Sequence, residues 1–145
     1  MVQVLRLMPS VIYIIVGIIS TIMAYKSLFS GKFLPFHEKA SNKIWEEIES
    51  PLQLVILTFM RLTGLGFLIV SILLLAFPVI NYYCPNKIYE YFIPVLALFF
   101  CSGLFLINYS LYRKTKANTP WRGSLYAVFV LIAAIIISIL TNIVN

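Results

Sequence analysis

The sequence predicts an all-α fold: a four-transmembrane-helix bundle with a short interfacial amphipathic helix between the first and second helices. Three observations predict it. Apolar residues make up 61% of the 145 positions and charged residues only 11%. Mean hydropathy is +0.97. Four windows reach the roughly 20 apolar residues that a bilayer crossing needs. A soluble domain is nearer half apolar and a quarter charged, so this chain lacks the polar residues to cover a globule. Residues 1–145 form one integral membrane domain. Intrinsic disorder, a disulfide-stapled secreted scaffold and a soluble enzyme core are excluded.

The first span runs over about 7–25. It exceeds the apolar core of a signal peptide and no small-residue cleavage site follows, so it is expected to stay as an anchor. The second runs over about 51–77, the third over about 89–112 and the fourth over about 121–140. Ser50-Pro51-Leu52-Gln53 reads as an N-cap, a proline at the first helical position and a glutamine that closes a capping box. Thr119-Pro120 repeats the cap-then-proline start. Phe77 to Asn86 carries two prolines and two asparagines, as expected of a turn-rich connection. Pro94 falls in the first turns of the third span, where its missing N–H costs little.

Charge sets the expected orientation. Lys26, Lys32, Lys39 and Lys43 follow the first span, and Arg113, Lys114, Lys116 and Arg122 lie around the third connection. The opposite side has Arg6 and Lys87. The positive-inside rule then places both termini outside, with loops 26–50 and 113–120 in the cytoplasm of a multi-pass protein of the cell (inner) membrane. Tyr82, Tyr83, Tyr89 and Tyr91 at one face and Trp45, Trp121, Tyr109 and Tyr112 at the other form interfacial belts. A net charge of +6 is read as this orientation signal. No basic run interleaves with exposed aromatics, so the expected partners are membrane lipids and a second copy or another membrane protein, with no nucleic acid. Cys84 and Cys101 lie at different depths and form no metal-ligand spacing, and no cofactor is implied.

The first loop has its own pattern. Phe33, Leu34, Pro35 and Phe36 precede His37. Ser41 to Glu49 then reads as a short helix capped by Ser41, with Ile44, Trp45 and Ile48 on one face and Glu46, Glu47 and Glu49 on the other. Four of the five acids lie in this loop beside the one histidine. A metal or acid–base site at His37 is set against packing and solvated charge, since no HxxxH or HExxH spacing accompanies it.

Arg61 is the most informative residue. Counted from Pro51 it lies roughly 15 Å along the second span, near mid-bilayer. A charge there costs at least about 2.5–3.5 kcal/mol, so a polar partner is expected. Asn108, reached by the lean of helical side chains toward their N-terminus, is one candidate, and the loop glutamates are the other. A snorkelling arginine that pins the helix is the alternative. Thr63, Gly64 and Gly66 form a small face, as do Ser20/Ala24 and Ala134/Ser138. The candidate binding residues are therefore Arg61, Asn108, Gln53, His37 and Trp45, with no catalytic or metal residue assigned.

Multidrug exporters of this size carry an acid in the first span, quinone-linked thiol oxidoreductases carry CxxC, and glutathione-handling membrane enzymes carry Arg, Asn and Glu on one helix. None of these patterns is here. The four-span layout resembles the small bacterial membrane proteins called DoxX-like. The string Phe33-Leu34-Pro35-Phe36-His37, then Trp45, Pro51-Leu52-Gln53, Met60-Arg61-Leu62-Thr63-Gly64-Leu65-Gly66 and Pro120-Trp121 carries the resemblance, which implies the four-helix layout and no established activity. Three functions are weighed: a structural or accessory membrane protein, a small oligomeric transporter, channel or lipid-handling protein organised around Arg61, and a headgroup-level enzyme using His37. Cysteines introduced near Lys114 and near the C-terminus should label from opposite sides of intact cells; equal labelling would refute the orientation.

Overall fold

The computed structural model describes residues 2–84 and 86–143; the side chains of residues 2–6, 87 and 89 lie outside the description, and with them Arg6, Lys87 and Tyr89 of the charge and belt assignments. Every described element is helical: α1 (Val2–Phe29), α2 (Pro35–Ser41), α3 (Ser50–Tyr83), α4 (Lys87–Thr115) and α5 (Trp121–Ile143), with a single 3-10 turn at Trp45–Glu47. Stretches Leu7–Phe29, Ser50–Tyr83, Glu90–Thr115 and Trp121–Ile143 are long and apolar enough to cross a membrane. The long helices run alternately up and down in a ring in which α1 packs on α3, α3 on α4, α4 on α5 and α5 on α1. One end holds the α1–α3 and α4–α5 connections (the loop end), and the other the tight α3–α4 turn (the turn end).

The α3–α4 connection is much shorter than its composition suggests. α3 continues through Pro78 to Tyr83 over 34 residues, about 51 Å at about 1.5 Å per residue. Phe77 is buried and edges onto Tyr13 at 5.5 Å, so the segment around the proline is held by packing. Leaving the helix there would expose more backbone polar groups than the one N–H that Pro78 lacks. The Cys84 amide closes the helix on Ile80 O at 2.8 Å. Asn86 caps α4 by accepting from Ile88 N at 2.9 Å. Because α4 starts at Lys87 rather than near Glu90, Pro94 lies two turns inside it.

The loop helix forms upstream of its expected position. Pro35 presets the first turn of α2, and Asn42 ends it in the left-handed region at φ 53°. Ser41, expected as an N-cap, is the last residue of α2, and its hydroxyl donates to Glu38 O at 3.3 Å. Downstream, the Trp45–Glu47 stretch makes one 3-10 turn. The predicted Ile44, Trp45 and Ile48 stripe therefore has no α-helix to carry it, since the αL residue cuts the pattern into two short pieces.

Small residues set the seam between α1 and α3. A Cβ on Gly64 would meet Leu28 Cγ at 2.9 Å, Leu28 N at 3.1 Å and Ser27 Cβ at 3.1 Å. At the other end a Cβ on Gly17 would meet Leu75 at 2.9 Å. Ser20, Ala24 and Ser27 are buried along the same face. Thr21 Oγ1 donates to Gly17 O, so its 2.5 Å contact across the seam has Ser71 Oγ as donor. Ala134 and Ser138 are buried on α5, and Gly66 faces Phe100 of α4. Leu74 and Leu131 at 0% exposure, with Ala97 at 1%, close the middle of the bundle.

Gly64→Val should destabilise the protein by about 1–3 kcal/mol, because a branched side chain would press on the backbone of Leu28. A Cβ on Gly103 meets nothing within 4 Å, so Gly103→Ala should leave thermal unfolding in detergent unchanged or slightly raised.

Candidate functional site

Three of the five sequence candidates meet at the loop end. Trp45 edges onto Phe33 at 5.0 Å, and His37 lies 4.0 Å from the Phe36 ring and 5.8 Å from the Phe33 ring. Gln53 Nε2 donates to Trp45 O at 2.8 Å, which ties the loop to the first turn of α3. Gln53 thus reaches eight residues back in place of closing a capping box. Buried Phe33 is the centre of this cluster, and α2 rests against α4. Trp45 here packs on the loop's own phenylalanine, whereas Tyr109, Tyr112 and Trp121 form a separate group with ring centroids 5.6 Å from Trp121. Among the described residues, no three His, Cys, Asp or Glu side chains come together as a metal set.

Arg61 and Asn108 are not brought together. Asn108 Nδ2 donates to Leu104 O at 2.9 Å on its own helix, and its carbonyl accepts from buried Thr119 Oγ1 at 2.9 Å. Thr119, read as the cap of the fourth helix, thus fastens the α4–α5 loop back onto α4. Arg61 is exposed and has no hydrogen bond or ion pair among the described residues. The register explains why. Gly64 lies against Ser27 and Leu28, so Arg61, one turn earlier in an antiparallel helix, comes level with the end of α1 at Phe29. The count from Pro51 puts Arg61 roughly 15 Å along its own span, near mid-bilayer, and says nothing of where α1 ends beside it. α3 overruns α1, and that overhang moves Arg61 toward the loop end.

A further polar centre, unassigned from sequence, lies at the turn end. All four long helices line a cavity of about 340 Å³ there, with Pro9, Ser10 and Tyr13 from α1, Phe77 and Asn81 from α3, Glu90 from α4, and Ser138, Thr141 and Asn142 from α5. Glu90 Oε1 accepts from Ser138 Oγ at 2.7 Å and from Asn142 Nδ2 at 2.7 Å, and the same amide donates to Tyr91 Oη at 2.8 Å. Tyr13 is 1% exposed, and its hydroxyl has no hydrogen-bond partner among the described residues. The available signals were Glu90, the one acid outside the first loop, and Ser138 and Asn142 four residues apart on one helix face. Neither located Tyr13, whose place depends on the α1–α3 register. Cys84 is exposed and Cys101 buried, both as free thiols.

Burial between the rings of Phe33 and Phe36 holds the His37 imidazole below its ordinary value, and its Nδ1 is unpartnered among the described residues. The unfolded loop takes up a proton first, near pH of about 6.5. The packed loop is therefore fully favoured above that pH and loses stability as pH falls through the lowered folded value. Proteolysis between Lys39 and Ser50, taken as the ratio of wild type to His37→Gln, should rise from about pH 7.5 to about 5. A flat ratio would show that the imidazole does not govern the loop.

The chain matches no protein-family model, no curated protein and no solved structure.

Proposed function

We propose that the protein is a structural or accessory component of the cell (inner) membrane that works through lateral contact with other membrane helices, as a self-associated copy or beside another membrane protein. The observation that carries this reading is the sealed middle of the bundle. Leu74, Leu131 and Ala134 are fully buried, with Val70 and Ala97 beside them, so among the described residues apolar side chains fill the space between the cavity at one end and the loops at the other. A sealed, apolar core does not favour a channel. In contrast, the outward faces carry many large apolar side chains, Leu54, Phe59, Leu62, Leu65 and Ile69 of α3 among them.

Arg61 lies on that outward surface next to Leu62, and exposed Lys26 precedes the Ser27–Leu28 contact on α1. Arg61 thus lies nearly a turn before Gly64 on α3 and Lys26 one residue before Ser27 on α1, where a carboxylate, a carbonyl or a lipid phosphate could meet them. In this proposal both termini lie outside and the basic loops lie in the cytoplasm, as the positive-inside rule requires. Kinship with DoxX-like proteins, resting on the motifs from Phe33 to Gly66 and on Pro120-Trp121, belongs to the same proposal and adds no activity.

A photo-crosslinking residue at Leu62, activated in native membranes, should give protein adducts. Arg61→Leu should reduce them several-fold with thermal stability unchanged, since the guanidinium has no described partner inside the chain to lose. Arg61→Lys should reduce them less if charge suffices, and as much as leucine if the planar fork is required. Adducts with lipid alone would refute the accessory reading.

A further inference from the structure

The cavity at the turn end has a chemistry of its own, independent of how the outer faces are used. Its polar groups come from four helices that share no sequence neighbourhood: Ser10 and Tyr13, Asn81, Glu90, and Ser138 with Thr141 and Asn142. Glu90 is the charged member of this lining. Ser138 and Asn142 both donate to its Oε1, which leaves Oε2 without a donor among the described residues. The hydroxyl of Tyr13 is likewise unpartnered while its ring is fully buried against Phe77. A buried hydroxyl without a partner is costly, and such groups are normally satisfied by water or by a ligand. At about 340 Å³ the space is within the range of small-ligand sites, roughly 300–1,000 Å³.

We propose that this cavity binds a primary ammonium group, carried by a lipid headgroup or by a free amine. A carboxylate with a vacant oxygen calls for a cation that donates hydrogen bonds, and no lysine or arginine side chain among the described residues lines the cavity to supply one. An ammonium has three N–H donors. One meets Glu90 Oε2, and a second meets the Tyr13 oxygen, which accepts without giving up its own proton. The Tyr13 and Phe77 rings line the cavity, and the face of an aromatic ring attracts a compact cation. Ser138 and Asn142 hold the carboxylate in place, as positioning residues. A quaternary ammonium has no N–H to give and therefore does not satisfy either oxygen. The site lies at the end of the bundle where α4 begins and α5 finishes, which is the level of a headgroup in a spanning protein.

The test uses the full chain in detergent with two arms. Native mass spectrometry should show phosphatidylethanolamine retained over phosphatidylcholine and phosphatidylglycerol of the same acyl chains. Thermal unfolding should be raised saturably by ethanolamine hydrochloride, and not by choline chloride or sodium chloride at equal ionic strength. Retention in the lipid arm alone assigns a headgroup, and stabilisation in the solute arm assigns a free amine. Glu90→Gln, nearly isosteric, should weaken binding roughly ten- to a hundredfold. Tyr13→Phe removes a hydroxyl with no described partner, so it should fold normally and weaken binding roughly two- to tenfold. No preference for the amine in either arm, equal response to choline, or binding indifferent to Tyr13→Phe in a protein that unfolds like wild type would overturn the proposal.

Discussion

The antiparallel seam between α1 and α3 sets the position of nearly everything else. Within hydrocarbon a helix satisfies its own backbone, and apolar surface gains little by leaving lipid. Close packing at small residues then becomes a main source of helix attraction. A Cβ on Gly64 would come within 3.1 Å of the backbone nitrogen of Leu28, so the two helices approach too closely there for a side chain. From that register follow the level at which α1 stops and the overhang of α3 beyond it, where α2 and the Phe33 cluster lie. At the far end the same register brings Tyr13 beside Phe77 and so builds one wall of the cavity.

The two ends of the bundle differ in chemistry as well as in shape. The loop end is basic and aromatic, with Lys116 6.0 Å above the ring of Tyr112 and the Arg122 guanidinium 5.4 Å from Trp121. Its internal polar contacts go chiefly from side chain to backbone, Gln53 to Trp45 and Thr119 to Asn108. These fasten the connections and leave the cations outside. The turn end has side chain to side chain bonds centred on one carboxylate. A network of that kind fixes the pairing of α4 with α5 as firmly as apolar packing, because leaving any member unsatisfied in a low-dielectric setting is costly.

Much of this was legible in the residues. The four spans, the small faces at Ser20/Ala24 and Ala134/Ser138 and the separation of the two cysteines all follow from local composition and period, as does the start of α3 beside Pro51, although Glu49 and not Ser50 is its cap residue. What was not legible depends on contacts between segments. Pro78 marks a break by its own chemistry, yet Phe77 packed on Tyr13 from another helix holds α3 through it. Ser41 suits either end of a helix, and Asn42 in the left-handed region makes it the last residue. That Arg61 meets no described partner depends on where α1 ends beside α3, which no count along its own helix reveals. Glu90 was visible as an isolated acid, but its partners lie 48 and 52 positions away and no local rule connects them.

The length of α3 bears on where such a protein would reside. Its 34 residues exceed the roughly 20 that an average bilayer requires. α5, its diagonal neighbour, has 23 among the described residues. A bundle with walls of unequal height deforms the lipid around it unevenly, thick on one side and thin on the other. Each ångström of mismatch costs a fraction of a kcal/mol, which is enough to bias lateral distribution. The protein should therefore gather where the bilayer is thicker, or where other long helices have already stretched it. Its uneven rim would act as a sorting device in its own right.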